Sequence, residues 1–118
     1  MARGGEILAI DLGGTNLRVG LVREHKILNF VRKPTPKDKN SLLSLMCDLI
    51  SEIMEDEVKG IGIGAPGPLK DSFVINPPNI PLKSFDLKKY IQKKFSVRVE
   101  VENDAKCAAL AELHLGYG

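Results

Sequence analysis

Residues 9–22 read AIDLGGTNLRVGLV: two apolar runs parted by a carboxylate, two adjacent glycines and a hydroxyl. Ile7 to Leu12 is nearly continuous apolar sequence, as in a strand covered on both faces, and Leu17 to Val22 follows after a short turn. Two strands so closely joined predict a hairpin. The turn accounts for Gly13 and Gly14, but not for Asp11 at the end of a buried strand with the Thr15 hydroxyl four residues on. Glycines permit positive φ and let bare backbone N–H groups approach an oxyanion, and Thr15 adds a further donor. Asp11 would repel a phosphate unless a cation stood between them. Mg²⁺, which needs only one or two carboxylates besides phosphate oxygens and water, satisfies that arrangement. A tight hairpin with a capping aspartate is the competing explanation, and the short D-x-G-G pattern does not decide between the two.

Outward from this stretch, Ile27 to Arg32 follows the polar REHK turn as a third strand, completing an antiparallel meander. KPTPKDKN is a loop, because two prolines exclude helix. Leu42, Leu45, Met46, Leu49, Ile50, Ile53 and Met54 keep a helical period, which predicts a helix from Ser41, as N-cap, to Asp56. Val58 to Ala65 is a glycine-dotted apolar strand, and the following PGPLKDSFVINPPNIPLKS, with five prolines, reads as a long irregular segment of the kind that is usually functional or disordered. A second helix is expected from about Asp86 to Phe95. Val97, Val99 and Val101 then alternate with charged residues as a strand with one buried face, and DAKCAALAELHLG, 104–116, reads as an alanine-rich helix ending at Gly116.

After the meander each strand is reached through a helix, so the later strands should run parallel to the first. Ligands of such sheets sit beyond the carboxyl ends of the strands. Three unusual segments land there: the turn after the first strand, the loop after the fourth, and END, residues 102–104, after the fifth. Asn103 and Asp104 stand where a strand ends and a helix starts. One of them suffices as an N-cap, leaving the other to face the crevice, where a carboxylate beside an alcohol can act as its general base. In GAPGP and NPPN the prolines Pro66, Pro77, Pro78 and Pro81 either make a rigid loop and nothing more, or stiffen a wall for a polar ligand to which Asn79 offers a donor and an acceptor. The chain lacks the G-x-x-x-x-G-K-[ST] phosphate loop, and no helix follows GIGAPG as a dinucleotide fingerprint requires.

Composition bounds the function classes. A chain of 118 residues, 43% hydrophobic and 27% charged, makes one domain. A net charge of +2 is too small to argue for nucleic acid, and Lys88, Lys89 and Lys93 fall opposite the apolar face of their helix, as a solvated face would. Cys47 and Cys107 have no CxxC partner and sit among apolar neighbours, so they read as reduced thiols. No apolar run serves as a signal peptide or approaches the roughly 20 residues of a membrane span. A cytoplasmic location is the expectation.

IDLGGTNLRVGLV, GIGAPGP, NPPN and VENDAKCAALAE, in this order and at these separations, resemble the ROK family of bacterial sugar kinases, most nearly its glucokinases. The wider group is the actin-like, hexokinase-like ATPases. The resemblance implies a ribonuclease H-like α/β fold: a mixed five-stranded sheet, a three-strand antiparallel meander followed by parallel strands, with helices on both faces. It further implies ATP with Mg²⁺ as the phosphate donor and a hexose, glucose in the first place, as acceptor. Asp11, Gly13, Gly14 and Thr15 match the family's first phosphate motif, with Asp11 near the magnesium. Asp104 matches the catalytic base that takes the proton of the sugar's 6-hydroxyl, Asn103 and Asn79 match sugar-hydroxyl ligands, and the backbone around Gly67 lies against the sugar. Lys106, Cys107 and Phe85 depart from the family pattern. The E-x-G-H sugar motif, the cysteine-rich zinc motif and the adenosine segments of the family's second lobe do not occur in this sequence, so residues 1–118 are expected to be an N-terminal lobe, inactive alone. The expected partners are a sugar, a nucleotide and the second lobe, without nucleic acid or membrane; a homo-oligomer of the complete protein is compatible with the resemblance. Fructose, mannose and N-acetylmannosamine remain alternative acceptors. A sugar-responsive repressor of the same family is the competing function, against which stand the few residues ahead of the first strand, too short for a DNA-reading element. An actin-like scaffold lobe would leave Asn103 and Asp104 without a role.

Overall fold

A computed structural model describes residues 5–24, 26–70, 73–75, 77 and 79–103. The opening apolar run forms β1 (Glu6–Leu12), and β2 (Asn16–Arg23) and β3 (Lys26–Pro34) complete the meander. α1 (Lys39–Ile53) leads to β4 (Val58–Ala65), and α2 (Leu87–Phe95) leads to β8 (Arg98–Asn103). These five long strands form one sheet in the order β3-β2-β1-β4-β8. β1 is antiparallel to β2 and β2 to β3, while β4 runs parallel to both β1 and β8. The mixed sheet expected from the sequence is therefore the one observed.

Both long connections, β3 to β4 through α1 and β4 to β8 through α2, step across the sheet in the same direction. Right-handed crossovers then place their helices on the same face. The core agrees: Leu8, Ile10, Leu12, Leu17, Val19, Leu21, Ile61, Ile63, Val99 and Val101 share one cluster with Leu42, Met46, Leu49 and Ile50 of α1 and Leu87 and Ile91 of α2. Each fully buried aliphatic side chain of this kind contributes roughly 1.5–3 kcal/mol. On the second face Ala9 and Val22 pack with Ile27 and Phe30. The expected helix over 104–116 lies outside the described residues.

Two local expectations change. α1 begins at Lys39, and its N-cap is Asp38, whose carboxylate accepts from the Ser41 N–H at 2.9 Å; Ser41 sits inside the first turn. The helix stops at Ile53 with Met54 as C-cap. The proline-rich segment is partly ordered by a small second sheet of β5 (Leu69–Lys70), β6 (Phe73–Val74) and β7 (Phe85–Asp86). The Ser84 N–H donating to Ile75 O and the Ile75 N–H to Pro68 O fold this segment back on itself. α2 starts from Asp86, which accepts from the Lys89 N–H, and closes on Ser96 in left-handed backbone, with Lys93 and Lys94 favourably placed in its last turn. Cys47 is half-buried and free, with burial pushing its thiol pKa up, as befits an unreactive cysteine. Among the described residues no helix is long and apolar enough to cross a membrane.

Glu6 is buried at the amino edge of the sheet, its Oε2 3.6 Å from Arg23 Nη1 and its Oε1 without a hydrogen-bond partner among the described residues. Burial, and next the charge of Glu55, raises its pKa above the ordinary 4.5. The folded state therefore holds the proton more tightly than the unfolded chain, and stability falls as pH rises through the folded value. Measured by denaturant titration, wild type should lose stability relative to Glu6→Gln on going from pH 4.5 upward; a pH-independent difference would contradict the assignment.

Candidate functional site

The carboxyl ends of β1, β4 and β8 lie side by side. Asp11 pairs with Gly64 across β1 and β4, and Ala65 pairs with Asn103 across β4 and β8. With neighbouring strands about 4.8 Å apart, the β1–β2 turn and the end of β8 are separated by roughly 10 Å. Gly67, two residues beyond β4, stands between them and is the glycine in left-handed backbone among the described residues, at φ 82°. Gly13, Gly14, Thr15, Gly67 and Asn103 are thus gathered on one edge, with Asp11 just inside it. Asp104 lies outside the described residues. Asn79 is exposed in the loop between β6 and β7, at φ 61°, a conformation asparagine tolerates better than most residues, and no described hydrogen bond ties it to the others.

The turn is built differently from the expectation. Neither Gly13 nor Gly14 takes positive φ. Gly13 is needed for close approach: its N–H donates to Asn16 O at 3.1 Å, and an added Cβ would stand 2.9 Å from that same oxygen. The Gly13 carbonyl accepts the Thr35 hydroxyl at 2.6 Å, and the Thr35 N–H donates to Thr15 O at 2.9 Å. Thr35, buried just beyond β3, therefore clamps the outer side of the turn from two positions. With these carbonyls engaged, no described partner takes the N–H of Gly14 or Thr15, which leaves both as donors for an anion.

Asp11 is 4% exposed, and its charge is met within the protein. Arg18 Nη1 donates to Asp11 Oδ2 at 3.0 Å across the hairpin. A charge-assisted bond of this kind stabilises a buried carboxylate that would otherwise be costly. The described residues contain no group of three His, Cys, Asp or Glu side chains able to hold a metal. One carboxylate already bound to a guanidinium does not by itself make a metal site. Sequence reading missed Arg18 and Thr35. Arg18 could have been found from the hairpin register, since a two-residue turn at Gly14 and Thr15 sets Asp11 opposite Arg18; Thr35, 22 residues from its partner, left no local signal.

A meander joined to parallel strands, with its loops gathered at the carboxyl edge around a glycine turn, is the architecture of the actin-like ATPase lobes. The ROK family profile matches residues 7–117, and this chain belongs to the ROK family. It is 33% identical to a beta-glucoside kinase of Listeria monocytogenes, covering 96% of this chain and 40% of that protein. It is also 31% identical to a xylose repressor of Caldicellulosiruptor bescii, covering 95% of this chain and 31% of the repressor. A ROK family glucokinase from Streptomyces griseus, solved with glucose and AMPPNP, superposes with a TM-score of 0.79 at 32% identity, over 97% of this chain and 38% of that one. The chain therefore spans about 40% or less of these relatives' length.

Replacing Thr35 by valine should lower stability by about 0.5–1.5 kcal/mol, the net worth of one hydrogen bond, and Thr35→Ser, which keeps the hydroxyl, should recover most of it. Gly13→Ala should cost about 1–3 kcal/mol through the contact with the Asn16 carbonyl. Chemical denaturation reads both, and a Thr35→Val variant as stable as wild type would remove the clamp.

Proposed function

We propose that this chain is the first lobe of a two-lobe sugar kinase that transfers the γ-phosphoryl group of ATP, taken as its magnesium complex, to the 6-hydroxyl of a hexose, glucose in the first place. The observation that carries this reading is the common edge at which β1, β4 and β8 end, with the phosphate-type turn on one side and Asn103 on the other. A solved relative that holds glucose and AMPPNP together supports it.

In this account the N–H groups of Gly14 and Thr15 face the phosphates, and the backbone at Gly67 with the side chains of Asn79 and Asn103 holds the sugar hydroxyls. Asp104, next in sequence to Asn103, takes the 6-hydroxyl proton as that oxygen bonds to the γ-phosphorus. The bond from phosphorus to the bridging oxygen breaks, and ADP leaves with the electron pair. Phosphoryl transfer depends mainly on positioning and charge stabilisation, so donor and acceptor must be held in line. A single lobe supplies one side of that clamp, and turnover requires the second.

In the two-lobe protein, Asp104→Asn should leave sugar binding near normal and lower kcat by roughly 10² to 10⁴, the range for a general base. An unchanged kcat removes Asp104 from the mechanism. Turnover by residues 1–118 alone at kinase-like rates, of order 1 to 100 per second, would overturn the need for a second lobe. The 31% identity to a xylose repressor favours one other reading, a sugar-sensing lobe of a regulator. Sugar-dependent binding of the complete protein to DNA, without sugar phosphorylation, would select it.

A further inference from the structure

We propose that the groove between α1 and α2 is a second ligand site, which takes a small organic anion with a flat apolar body. It is built from residues other than those gathered at the carboxyl edge and stands independently of the kinase reading.

α1 turns Lys39, Leu43 and Cys47, spaced four apart, into the groove, with Asn40, Ser44 and Asp48 beside them. The facing wall is Phe85 of β7 with Tyr90 and Lys94 of α2. Between the walls lies a cavity of about 460 Å³, the size of a small-molecule pocket. From Lys39 to Cys47 the helix rises about 12 Å, long enough for a two-ring molecule.

The Phe85 and Tyr90 rings stand 5.5 Å apart at 58°, and each carries an ammonium group: Lys39 Nζ is 4.6 Å from the centre of the Phe85 ring, and Lys94 Nζ is 5.3 Å from that of Tyr90. A ring face orients an ammonium without neutralising it. Neither lysine is ion-paired to a carboxylate among the described residues. Asp48 is the acidic residue among the described ones that line the cavity, so one positive charge is left over. Lys39 is also the first residue of α1, a cation at the positive end of the helix dipole, and no acidic residue stands in that first turn. The Asp38 carboxylate at the cap is committed to the Ser41 N–H. The Lys39 end of the groove is therefore electropositive. Leu43 and the two rings supply an apolar floor, and Asn40 and Ser44 offer further donors to an anionic group. Cys47, half-buried against the Tyr90 hydroxyl, marks the far end of the groove and reports on its occupancy.

The test is titration of the 118-residue chain with naphthoate in low-salt buffer at neutral pH, followed by calorimetry, amide NMR and the rate of Cys47 alkylation by iodoacetamide, read by peptide mass spectrometry. Wild type should bind at one saturable site, with amide shifts gathered on residues 39–48 and 85–94 and with Cys47 protected. Lys39→Glu should weaken binding about tenfold or more while keeping or raising the thermal midpoint, because an acidic residue suits the first turn of a helix. A merely structural Lys39 would do the reverse, lowering the midpoint and leaving the affinity alone. Lys94→Gln should weaken binding likewise, and Lys94→Arg should retain most of it; Lys94 is exposed, so these variants keep the test valid should Lys39→Glu fail to fold. The neutral analogue naphthalenemethanol and inorganic phosphate should each bind far more weakly than naphthoate. Equal binding of the neutral analogue, equal binding of phosphate, non-saturating shifts scattered over the surface, affinity kept within about twofold in both Lys39→Glu and Lys94→Gln, or no binding by wild type would each overturn the site.

Discussion

β4 is hydrogen-bonded in parallel on both sides, to β1 and to β8, and this fixes where everything else can go. Parallel neighbours must finish at the same edge, so their following loops are forced together. Its alternation serves two surfaces: Ile61, Ile63 and Ala65 enter the core under the helices, while Gly60, Gly62 and Gly64 present backbone to the second face. The crossovers on either side both carry their helices to the core face, and the carboxyl edge is left for the glycine turn, the Gly67 turn and Asn103.

The electrostatics of that edge follow from a carboxylate buried beside the hairpin turn. A buried carboxylate charge conflicts with its surroundings unless it is paired. Arg18, held at 3.0 Å, resolves the conflict inside the fold, without calling on a metal for stability. Thr35 performs the complementary task on the backbone. By occupying the carbonyls of Gly13 and Thr15 it leaves the turn presenting donors outward, the polarity an oxyanion requires. Charge and backbone orientation are thus set from β2 and from beyond β3, by residues other than Asp11, Gly13, Gly14 and Thr15.

Much of this was legible in the sequence because it is local. Continuous apolar runs marked β1 and β2, the glycine-dotted stretch marked β4 from Val58 to Ala65, and the alternation of valines with charges marked β8. The convergence of three loops at one edge followed from topology alone. What escaped has physical reasons. The polar first turn of α1 buries nothing, so periodicity began at Leu42 and put the cap at Ser41 in place of Asp38. Strands of two residues, as in β5, β6 and β7, are too short to show a period of two. Gly13 was read for its backbone freedom, whereas it is required by a close contact with Asn16, which only register reveals. Arg18 needed the hairpin register to be drawn before its pairing with Asp11 showed, and Thr35, 22 residues from Gly13, is beyond the reach of a pattern search along the chain.

The proposed kinase site needs the β1–β2 turn, the Gly67 turn and the end of β8 together. Manganese bound to ATP, added in small amounts to the isotope-labelled protein, broadens the amide signals of residues near the metal. Gly14, Thr15, Gly67 and Asn103 should broaden together, ahead of residues at the amino edge such as Glu6 and Val58. Broadening that reaches the turn but spares Gly67 and Asn103, or that centres on the amino edge, would contradict it.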